Sequence, residues 1–255
     1  MREILSIILI AHNEEQAIGP ILEGLLKTYS REILEIIVVD DASRDRTANI
    51  VRDWASRDSK VRLIQRNPPC GVGRALRTGF ANINPQAVYA LSMDSDFVEN
   101  IDQVRALIEE IEKGNCDGVI GSRFVEGGKV VRYPILKRVM NRLFHRVVKM
   151  LFGIKQHDLT NNFKLYRANI FRSLPWQSSG FAMNAETGLL PILAGYKLVE
   201  VPVVWVDRDP EMGRSKFGLL KHGGGYLRVI QHALRFARAS QKNRHKLSPK
   251  SRSES

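Results

Sequence analysis

The 255-residue sequence is poor in cysteine and has no long apolar run. Its two cysteines, Cys70 and Cys116, argue against a disulfide-rich secreted scaffold and are typical of a reducing compartment. No stretch approaches the roughly 20 apolar residues that a membrane-spanning helix needs. Met1 is followed by Arg2, Glu3 and a short strand-like run, not by a secretory signal. We therefore expect a cytoplasmic protein without an integral membrane segment.

Acidic residues are missing from two long basic stretches. Residues 127–157 contain eight Lys and Arg, residues 212–252 contain eleven, and neither stretch has an Asp or a Glu. The net charge of +12 is therefore concentrated in two regions. Such a surface favours a polyanionic partner, which could be anionic lipid, nucleic acid or a phosphorylated substrate. A basic surface that is merely solvated is the alternative.

Two further absences concern chemistry. The sequence has no plausible Ser-His-Asp set and no Cys/His spacing typical of zinc. Covalent catalysis is therefore not indicated.

The first 121 residues alternate between apolar strand patterns and amphipathic helix patterns. The predicted strands lie near 4–10, 35–39, 61–65, 87–93 and 117–121. The predicted helices lie near 14–27, 45–57, 72–83 and 101–112, with Asn13 as the expected cap of the first. Connections of this length imply right-handed βαβ units, and so an α/β fold with a mainly parallel sheet flanked by helices.

Two of the predicted strands end on carboxylates. One runs from Ile36 into Asp40 and Asp41, and the other runs from Tyr89 into Asp94 and Asp96. Ligands of open α/β sheets bind at the edge where such strands end. Carboxylates at positions i and i+2 can hold one Mg²⁺ or Mn²⁺, and that cation can hold a diphosphate. The alternative for Asp94 and Asp96 is a turn with two solvated acids.

The end of the first strand and Asp41 are the predicted nucleoside site. The donor-binding candidates are Ala11, His12, Asn13, Glu14, Asp41 and Asp94. A carboxylate at Asp41 could bind a base or ribose, and His12 could stack on a base. The alternatives are helix capping by Asp41 and an ordinary surface histidine.

Three cations near polar turns are candidate phosphate ligands: Arg123, Arg208 and Lys216. Any one of them alone could be ordinary surface charge. The Gly-rich segment 71–79 lacks the ending of a Walker loop, and we expect it to form a tight turn near the site. Segment 158–167 has the mixed pattern of a loop that leads into a strand and lines a site.

Two segments are amphipathic with a basic face. In residues 137–152, Val139, Leu143 and Val148 fall on an apolar half, while Arg142 and His145 fall on a polar half. Residues 217–239 repeat the pattern more weakly, after a Gly223–Gly225 run that predicts a break in the helix. Both segments are compatible with helices that lie on an anionic membrane, and packing on the sheet with a solvated basic face is the alternative.

These residues, in this order, resemble the family 2 glycosyltransferases of the GT-A fold, and among them the polyprenyl-phosphate sugar synthases such as dolichol-phosphate mannose synthase. The resemblance covers residues 4 to about 235. The matching motifs are Ile10–Glu14, Val39–Ser43, Asp94–Asp96, Gly121–Phe124, Asp158–Arg167, Val201–Arg208 and Gly213–Lys216. The chain departs from the family at Ile10 and His12, where relatives have Pro and Tyr, and at Val98, where close relatives have a metal-holding Gln.

The resemblance implies an inverting hexosyltransferase that moves mannose or glucose from a GDP- or UDP-sugar to a polyprenyl phosphate. In this hypothesis Asp94 and Asp96 hold the metal, and Arg123, Arg132, Arg208 and Lys216 bind phosphates. Glu186 is a supporting acid near the acceptor. The enzyme is expected to be peripheral on the cytosolic membrane face, with or without a membrane-anchoring subunit.

Two alternatives remain open at this point. One is a family 2 enzyme that acts on a glycan or glycolipid acceptor. The other, more remote, is a non-enzymatic protein that binds membranes or nucleic acid through its basic surface. For the main hypothesis we expect no nucleic-acid partner.

The predicted organisation is one domain over residues 1–239. Its nucleotide-sugar half spans about 1–124 and its acceptor and interface half spans about 125–239. Residues 240–255, which are almost devoid of apolar side chains, are expected to be a disordered basic tail.

Overall fold

The computed structural model describes residues 3–131, 135–206 and 219–247. The strands are β1 (Leu5–Ala11), β2 (Ile33–Asp40), β3 (Val61–Gln65), β4 (Tyr89–Asp94), β5 (Gly118–Ser122), β6 (Lys129–Val131), β7 (Lys164–Arg167), β8 (Leu198–Pro202) and β9 (Val204–Val206). The α-helices are α1 (Ile18–Tyr29), α2 (Thr47–Arg57), α3 (Val72–Ala81), α4 (Val104–Glu112), α5 (Ile135–Phe152), α6 (Ala168–Ser173), α7 (Met183–Ala194) and α8 (Leu219–Leu247). A 3-10 helix, Val98–Gln103, precedes α4.

Seven strands form one sheet in the order β3-β2-β1-β4-β7-β5-β8. Strand β7 runs antiparallel to both of its neighbours, and the other pairings in this sheet are parallel. Strands β6 and β9 form a separate parallel pair. The five strands and four helices predicted for the first 121 residues are confirmed, and so is the mainly parallel α/β class. The antiparallel insertion of β7 was not predicted.

Helices cover both faces of the sheet. Alternate residues of β1 point to opposite faces, so Ile7 packs with α1, α2 and α4, whereas Ile8 packs with α3, α6 and α7. Both isoleucines are fully buried. Two apolar layers of this kind stabilise the sheet from both sides and leave its carboxyl edge as the place where polar groups collect.

Two predictions about helix ends are wrong. Helix α1 begins at Ile18, not near residue 14, and its N-terminus has no side-chain cap. Asn13 instead adopts a left-handed conformation with φ of 55°, a geometry that Asn tolerates better than most residues. Asp45, just before α2, accepts the N–H of Thr47 at 3.0 Å.

Helix α8 also differs from the prediction. It runs without a break through Gly224 and Gly225, so the glycine run does not end the helix. It continues to Leu247, which places the predicted boundary of a disordered tail at residue 240 inside a helix. Packing supplies the reason for the continuity, because Val229 and Ala233 are buried against the core and tertiary contacts outweigh a weak local propensity. The division of the chain into domains stays a prediction.

Helix α5 presents apolar residues to the solvent. Val139, Leu143 and Met150 are 54%, 51% and 79% exposed, and Met140 and Leu151 are also exposed. Val148 of this helix packs fully into the core. His145 was expected on the solvated face, and that prediction is wrong: it is buried, and its Nε2 accepts the N–H of Leu159 at 2.8 Å. Burial lowers the pKa of His145, so it is a neutral packing residue.

None of the helices in the described part of the chain is both long enough and apolar enough to cross a bilayer.

Candidate active site

The two acidic strand ends lie at the same edge of the sheet. The parallel register pairs Ala11 of β1 with Asp40 of β2 and Ile10 of β1 with Asp94 of β4. The carboxyl ends of β1, β2 and β4 therefore lie side by side, which confirms that the structure brings the acidic strand ends together. This edge is where open α/β sheets bind ligands.

Asp94 and Asp96 form a close pair of like charges at the end of β4. Burial, and then the negative charge of Asp96, raise the pKa of Asp94 to about 6. A hydrogen bond from the Asn162 amide to Asp94 Oδ1 (2.9 Å) and the nearby charge of Arg123 act in the opposite direction. A divalent cation would relieve the remaining repulsion between the two carboxylates.

The donor set at this pair suits a hard cation. Asp94 and Asp96 offer oxygen ligands, as Mg²⁺ and Mn²⁺ prefer. Within residues 3–131, 135–206 and 219–247, no group of three or more His, Cys, Asp or Glu side chains is placed to hold a metal. Asp94 and Asp96 would therefore hold such a cation, and substrate phosphates and water would supply further oxygen ligands, as is common for Mg²⁺.

The adjacent residues Asp40 and Asp41 have different hydrogen-bond partners. Asp40 is buried, and its carboxylate accepts the N–H of Ser43 (3.1 Å) and the side-chain amide of Gln65 (3.3 Å). It fixes the loop that follows β2. Asp41 forms an ion pair with Arg66 and accepts the N–H of Gly71 at 2.6 Å.

The predicted nucleoside corner is assembled around Asp41. The N–H of Asp41 donates to the carbonyl of Ala11 (2.8 Å), and its carbonyl contacts Nδ1 of His12 (2.7 Å). The N–H groups of Asn13 and Glu14 donate to the hydroxyls of Ser43 (2.9 Å) and Thr47 (2.8 Å). The loop after β1 and the loop after β2 are thus joined by hydrogen bonds. Their roles in donor binding stay predictions.

The Gly-rich segment brings a third loop to this corner. The N–H of Gly73 donates to the carbonyl of Ser179 at 3.1 Å, at the N-terminus of α3. A Cβ atom on Gly73 would lie 2.2 Å from the carbonyl oxygen of Ser178, and one on Gly71 would lie 2.3 Å from that of Ser179. Glycine is needed at both positions because two backbones touch there.

Arg123 is held by a buried carboxylate. Its Nε and Nη2 donate to the two oxygens of Asp158 at 2.7 and 2.8 Å, and its N–H also donates to Asp158. Burial alone raises the pKa of Asp158, but the charge and hydrogen bonds of Arg123 outweigh this and hold that pKa below its usual value. The guanidinium also lies over the rings of Phe124 and Trp205. Arg123 thus brings a fixed positive charge near Asp94, and direct phosphate contact by Arg123 stays a prediction.

Glu186 is a fully buried carboxylate on α7. Its oxygens accept the N–H groups of Gln177 (2.9 Å) and Ser178 (2.8 Å) and contact Nδ1 of His232 on α8 (2.8 Å). These bonds hold the 174–180 loop against α7 and α8. A role of Glu186 towards the acceptor stays a prediction.

Three of the four predicted phosphate ligands, Arg132, Arg208 and Lys216, lie outside the described residues.

The structure adds residues that sequence reasoning missed. Arg66, Thr47 and Asn162 each contact a predicted site residue, and Lys164 is fully buried in β7 beneath the site. Burial lowers the pKa of Lys164 to about 7. The mixed pattern of segment 158–167 was a signal for a site-lining loop, but only the antiparallel position of β7 shows which of its side chains reach Asp94.

Solved structures share this mainly parallel α/β sheet. Glucosyl-3-phosphoglycerate synthase from Mycobacterium tuberculosis, in complex with Mn²⁺ and UDP-glucose, superposes with a TM-score of 0.67 at 18% identity, over 91% of this chain and 78% of that chain. The same enzyme in complex with phosphoglyceric acid gives a TM-score of 0.67 at 17% identity, and the match covers 91% of this chain and 79% of that chain. The sheet is therefore of the GT-A type.

The model of Glycosyl transferase family 2 matches residues 6–174, and the chain belongs to this family. It is 29% identical over 213 residues to the undecaprenyl-phosphate mannosyltransferase of Micrococcus luteus, which covers 82% of this chain and 85% of that protein. It is 27% identical to the polyprenol monophosphomannose synthase of Mycolicibacterium smegmatis, and the match covers 82% of this chain and 79% of that protein. It is 28% identical to the dolichyl-phosphate hexose transferase of Haloferax volcanii, and the match covers 84% of this chain and 90% of that protein.

Proposed function

We propose that this glycosyltransferase moves a hexose from a nucleotide diphosphate sugar to a polyprenyl phosphate at a membrane surface, with inversion at the anomeric carbon. The observation that carries the proposal is the Asp94–Asp96 pair beside the Asp41 corner. The relatives named as polyprenyl-phosphate mannose or hexose transferases support the acceptor class.

The donor would bind at the carboxyl edge of the sheet. The Asp41 corner, with Ala11, His12, Asn13 and Glu14, would hold the nucleoside, and Asp94 and Asp96 would hold Mg²⁺ or Mn²⁺. Such a cation, when bound, neutralises charge on the leaving diphosphate. The buried Arg123 adds positive potential beside Asp94. The bound cation and the charge of Arg123 would both favour departure of the nucleoside diphosphate.

The acceptor needs little activation. A phosphate monoester is ionised near neutral pH, so no strong general base is required to make its oxygen nucleophilic. That oxygen forms the new bond to the anomeric carbon as the bond to the diphosphate breaks, and the nucleoside diphosphate leaves with the electron pair. Attack opposite the leaving group inverts the anomeric configuration. The proposed contacts to the donor diphosphate and to the acceptor phosphate are Arg123, Arg132, Arg208 and Lys216.

Exposed side chains on α5 support membrane contact. At 100° per residue, the exposed Val139, Leu143 and Met150 cover one arc of the helix. The exposed Arg142 and Arg146 cover the adjacent arc. An apolar arc for acyl chains beside a basic arc for anionic headgroups is the pattern of an interfacial helix. We propose a peripheral location on the cytosolic face, and an anchoring subunit stays a prediction.

The test is transfer of radiolabelled sugar from GDP- and UDP-hexoses to polyprenyl phosphate in vesicles, with Mg²⁺ or Mn²⁺ and with EDTA. We expect label in the lipid phase from one donor class, only with metal, and loss of transfer in Asp94→Ala and Asp96→Ala. Asp53→Ala, on the exposed face of α2, is the matched control. Undiminished transfer by the Asp94 and Asp96 variants would overturn the assignment of the metal site.

A further inference from the structure

Asn162 is a buried side chain that the proposed chemistry does not use. It lies in the loop before β7 and is 2% exposed. Its amide bridges two residues of β4: Nδ2 donates to Asp94 Oδ1 at 2.9 Å, and Oδ1 accepts the hydroxyl of Ser92 at 2.7 Å. Ser92 is 1% exposed, so this three-residue chain is closed off from solvent on all but the Asp94 side.

The sheet fixes the position of this amide. Strands β4 and β7 are antiparallel and pair Ser92 with Lys164. Continuing that register by two residues along each chain places Asn162 opposite Asp94. The pairing itself ends at Ser92 and Lys164. Asn162 therefore approaches Asp94 from the segment that leads directly into β7, and the 2.9 Å hydrogen bond joins the two residues there.

The chemistry of the three groups fixes the orientation of the amide. An ionised carboxylate only accepts hydrogen bonds, so the NH₂ group of Asn162 must face Asp94. The carbonyl of the same amide then faces Ser92, whose hydroxyl can donate. The amide thus holds one carboxylate oxygen of Asp94 and leaves the second oxygen for another ligand.

We propose that Asn162 is a positioning residue that holds the Asp94 carboxylate in the orientation that binds the divalent cation. The inference rests on the proposed metal-dependent function. Groups that hydrogen-bond to a metal ligand and fix its orientation commonly contribute about 10- to 100-fold to metal affinity. Ser92 acts one step further away, because it orients Asn162.

The adjacent Asn161 provides a matched control. It has the same side chain, is 1% exposed, and donates from Nδ2 to the carbonyl of Gly121 at 2.7 Å instead of to Asp94. The Oδ1 of Asn161 also accepts the N–H of Phe163 at 3.4 Å. Asn161→Ala and Asn162→Ala therefore each remove one buried amide and two side-chain hydrogen bonds. A merely structural role would make the two variants behave alike.

The experiment measures Mn²⁺ binding by electron paramagnetic resonance, in the presence of saturating UDP or GDP and without lipid. It compares the wild-type chain with Asn162→Ala, Asn161→Ala, Ser92→Ala and Asp94→Ala. We expect the Kd for Mn²⁺ to rise about 10- to 100-fold in Asn162→Ala, to rise less in Ser92→Ala, and to change less than about twofold in Asn161→Ala. In transfer assays, Asn162→Ala should raise the KM for Mn²⁺ and regain most of kcat at saturating metal.

The outcomes separate the inference from the proposed function. If the wild-type chain binds Mn²⁺ and Asn162→Ala binds it equally well, or if Asn161→Ala loses as much affinity, the positioning role is wrong while the metal site stands. If the wild-type chain and Asp94→Ala bind Mn²⁺ equally, the metal site itself is wrong and the inference falls with it.

Discussion

At the scale of single residues, the candidate site collects groups that are unfavourable for folding alone. Asp94 lies near a second carboxylate, and Lys164 is fully buried in β7, where its Nζ bonds to the carbonyls of Asn161 and Asn184 and to the hydroxyl of Thr187. Groups that are unfavourable for folding are typical of functional sites, where they are kept for activity at a cost in stability.

The first prediction concerns Asp94→Asn. The pKa of Asp94 is raised to about 6, so its contribution to stability is fully present below the unfolded pKa and is lost as the pH rises through about 6. In EDTA at pH 7.5 we expect Asp94→Asn to have a higher Tm than the wild-type chain, with a difference that shrinks towards pH 5. Asp53→Asn, on the exposed face of α2, should show no such trend.

Mn²⁺ with a nucleoside diphosphate should reverse that ranking, because only the wild-type chain gains stability from the bound cation. A variant that is less stable than wild type in EDTA at pH 7.5 would contradict a raised pKa at Asp94.

The second prediction concerns Lys164. Burial lowers its pKa to about 7, so between about pH 7 and the unfolded value the unfolded chain binds more protons than the folded one. Stability should therefore rise with pH through this interval. Lys164→Met removes the titrating group, and we expect its Tm relative to wild type to fall steadily from pH 6.5 to pH 9. A constant difference would show that Lys164 keeps an ordinary pKa.

At the scale of helices and loops, contacts from α8 reach the nucleoside corner. His232 of α8 contacts Glu186, Glu186 accepts N–H groups of the 174–180 loop, and that loop contacts α3 through Ser179. Gly71, at the start of α3, donates to Asp41. A basic helix and the predicted donor site are therefore connected by a continuous set of contacts.

The third prediction tests the Glu186 contacts. Glu186→Ala leaves the N–H groups of Gln177 and Ser178 without their acceptor, and each such loss costs about 1–3 kcal/mol. We expect the free energy of unfolding in urea to fall by about 2–6 kcal/mol and the KM for the sugar donor to rise. Glu23→Ala, at an exposed position of α1, should leave both unchanged. A stable variant with normal donor KM would mean that the loop is held by other contacts.

The fourth prediction tests α5 as a membrane contact. The double variant Leu143→Ser, Met150→Ser removes two exposed apolar side chains whose full burial would contribute about 1.5–3 kcal/mol each. We expect at least about a tenfold loss of binding to anionic vesicles in flotation assays. Val88→Ser, at a position that is 43% exposed and directly precedes β4, is the control. Equal binding by the double variant and wild type would place the membrane contact elsewhere.

At the scale of the whole molecule, local patterns predicted the first half of the fold better than the second. Strands β1 to β5 in the first half are apolar runs that end in turns, and their periodicity was sufficient to place them. The position of β7 between β4 and β5 depends on long-range pairing, which no local pattern encodes. For the same reason the sequence identified Asp94 but not its partner Asn162.

The helix ends show the same limit. A polar residue followed by acids predicted a cap at Asn13, but the tertiary bonds of Asn13 with Ser43 and Arg44 hold it in a left-handed turn outside the helix. The glycines of α8 predicted a break, but burial of Val229 and Ala233 supports a continuous helix. Local propensity gave way to packing in both cases.

The proposed function depends on a lipid phosphate as the acceptor, and one comparison of acceptors tests this. Labelled hexose from the active nucleotide sugar is offered to polyprenyl phosphate, to the same polyprenol without phosphate, and to a water-soluble glycan, all with Mn²⁺. We expect label on polyprenyl phosphate alone, with release of one nucleoside diphosphate for each sugar transferred. Label on the glycan or the free polyprenol, with polyprenyl phosphate left unmodified, would contradict it.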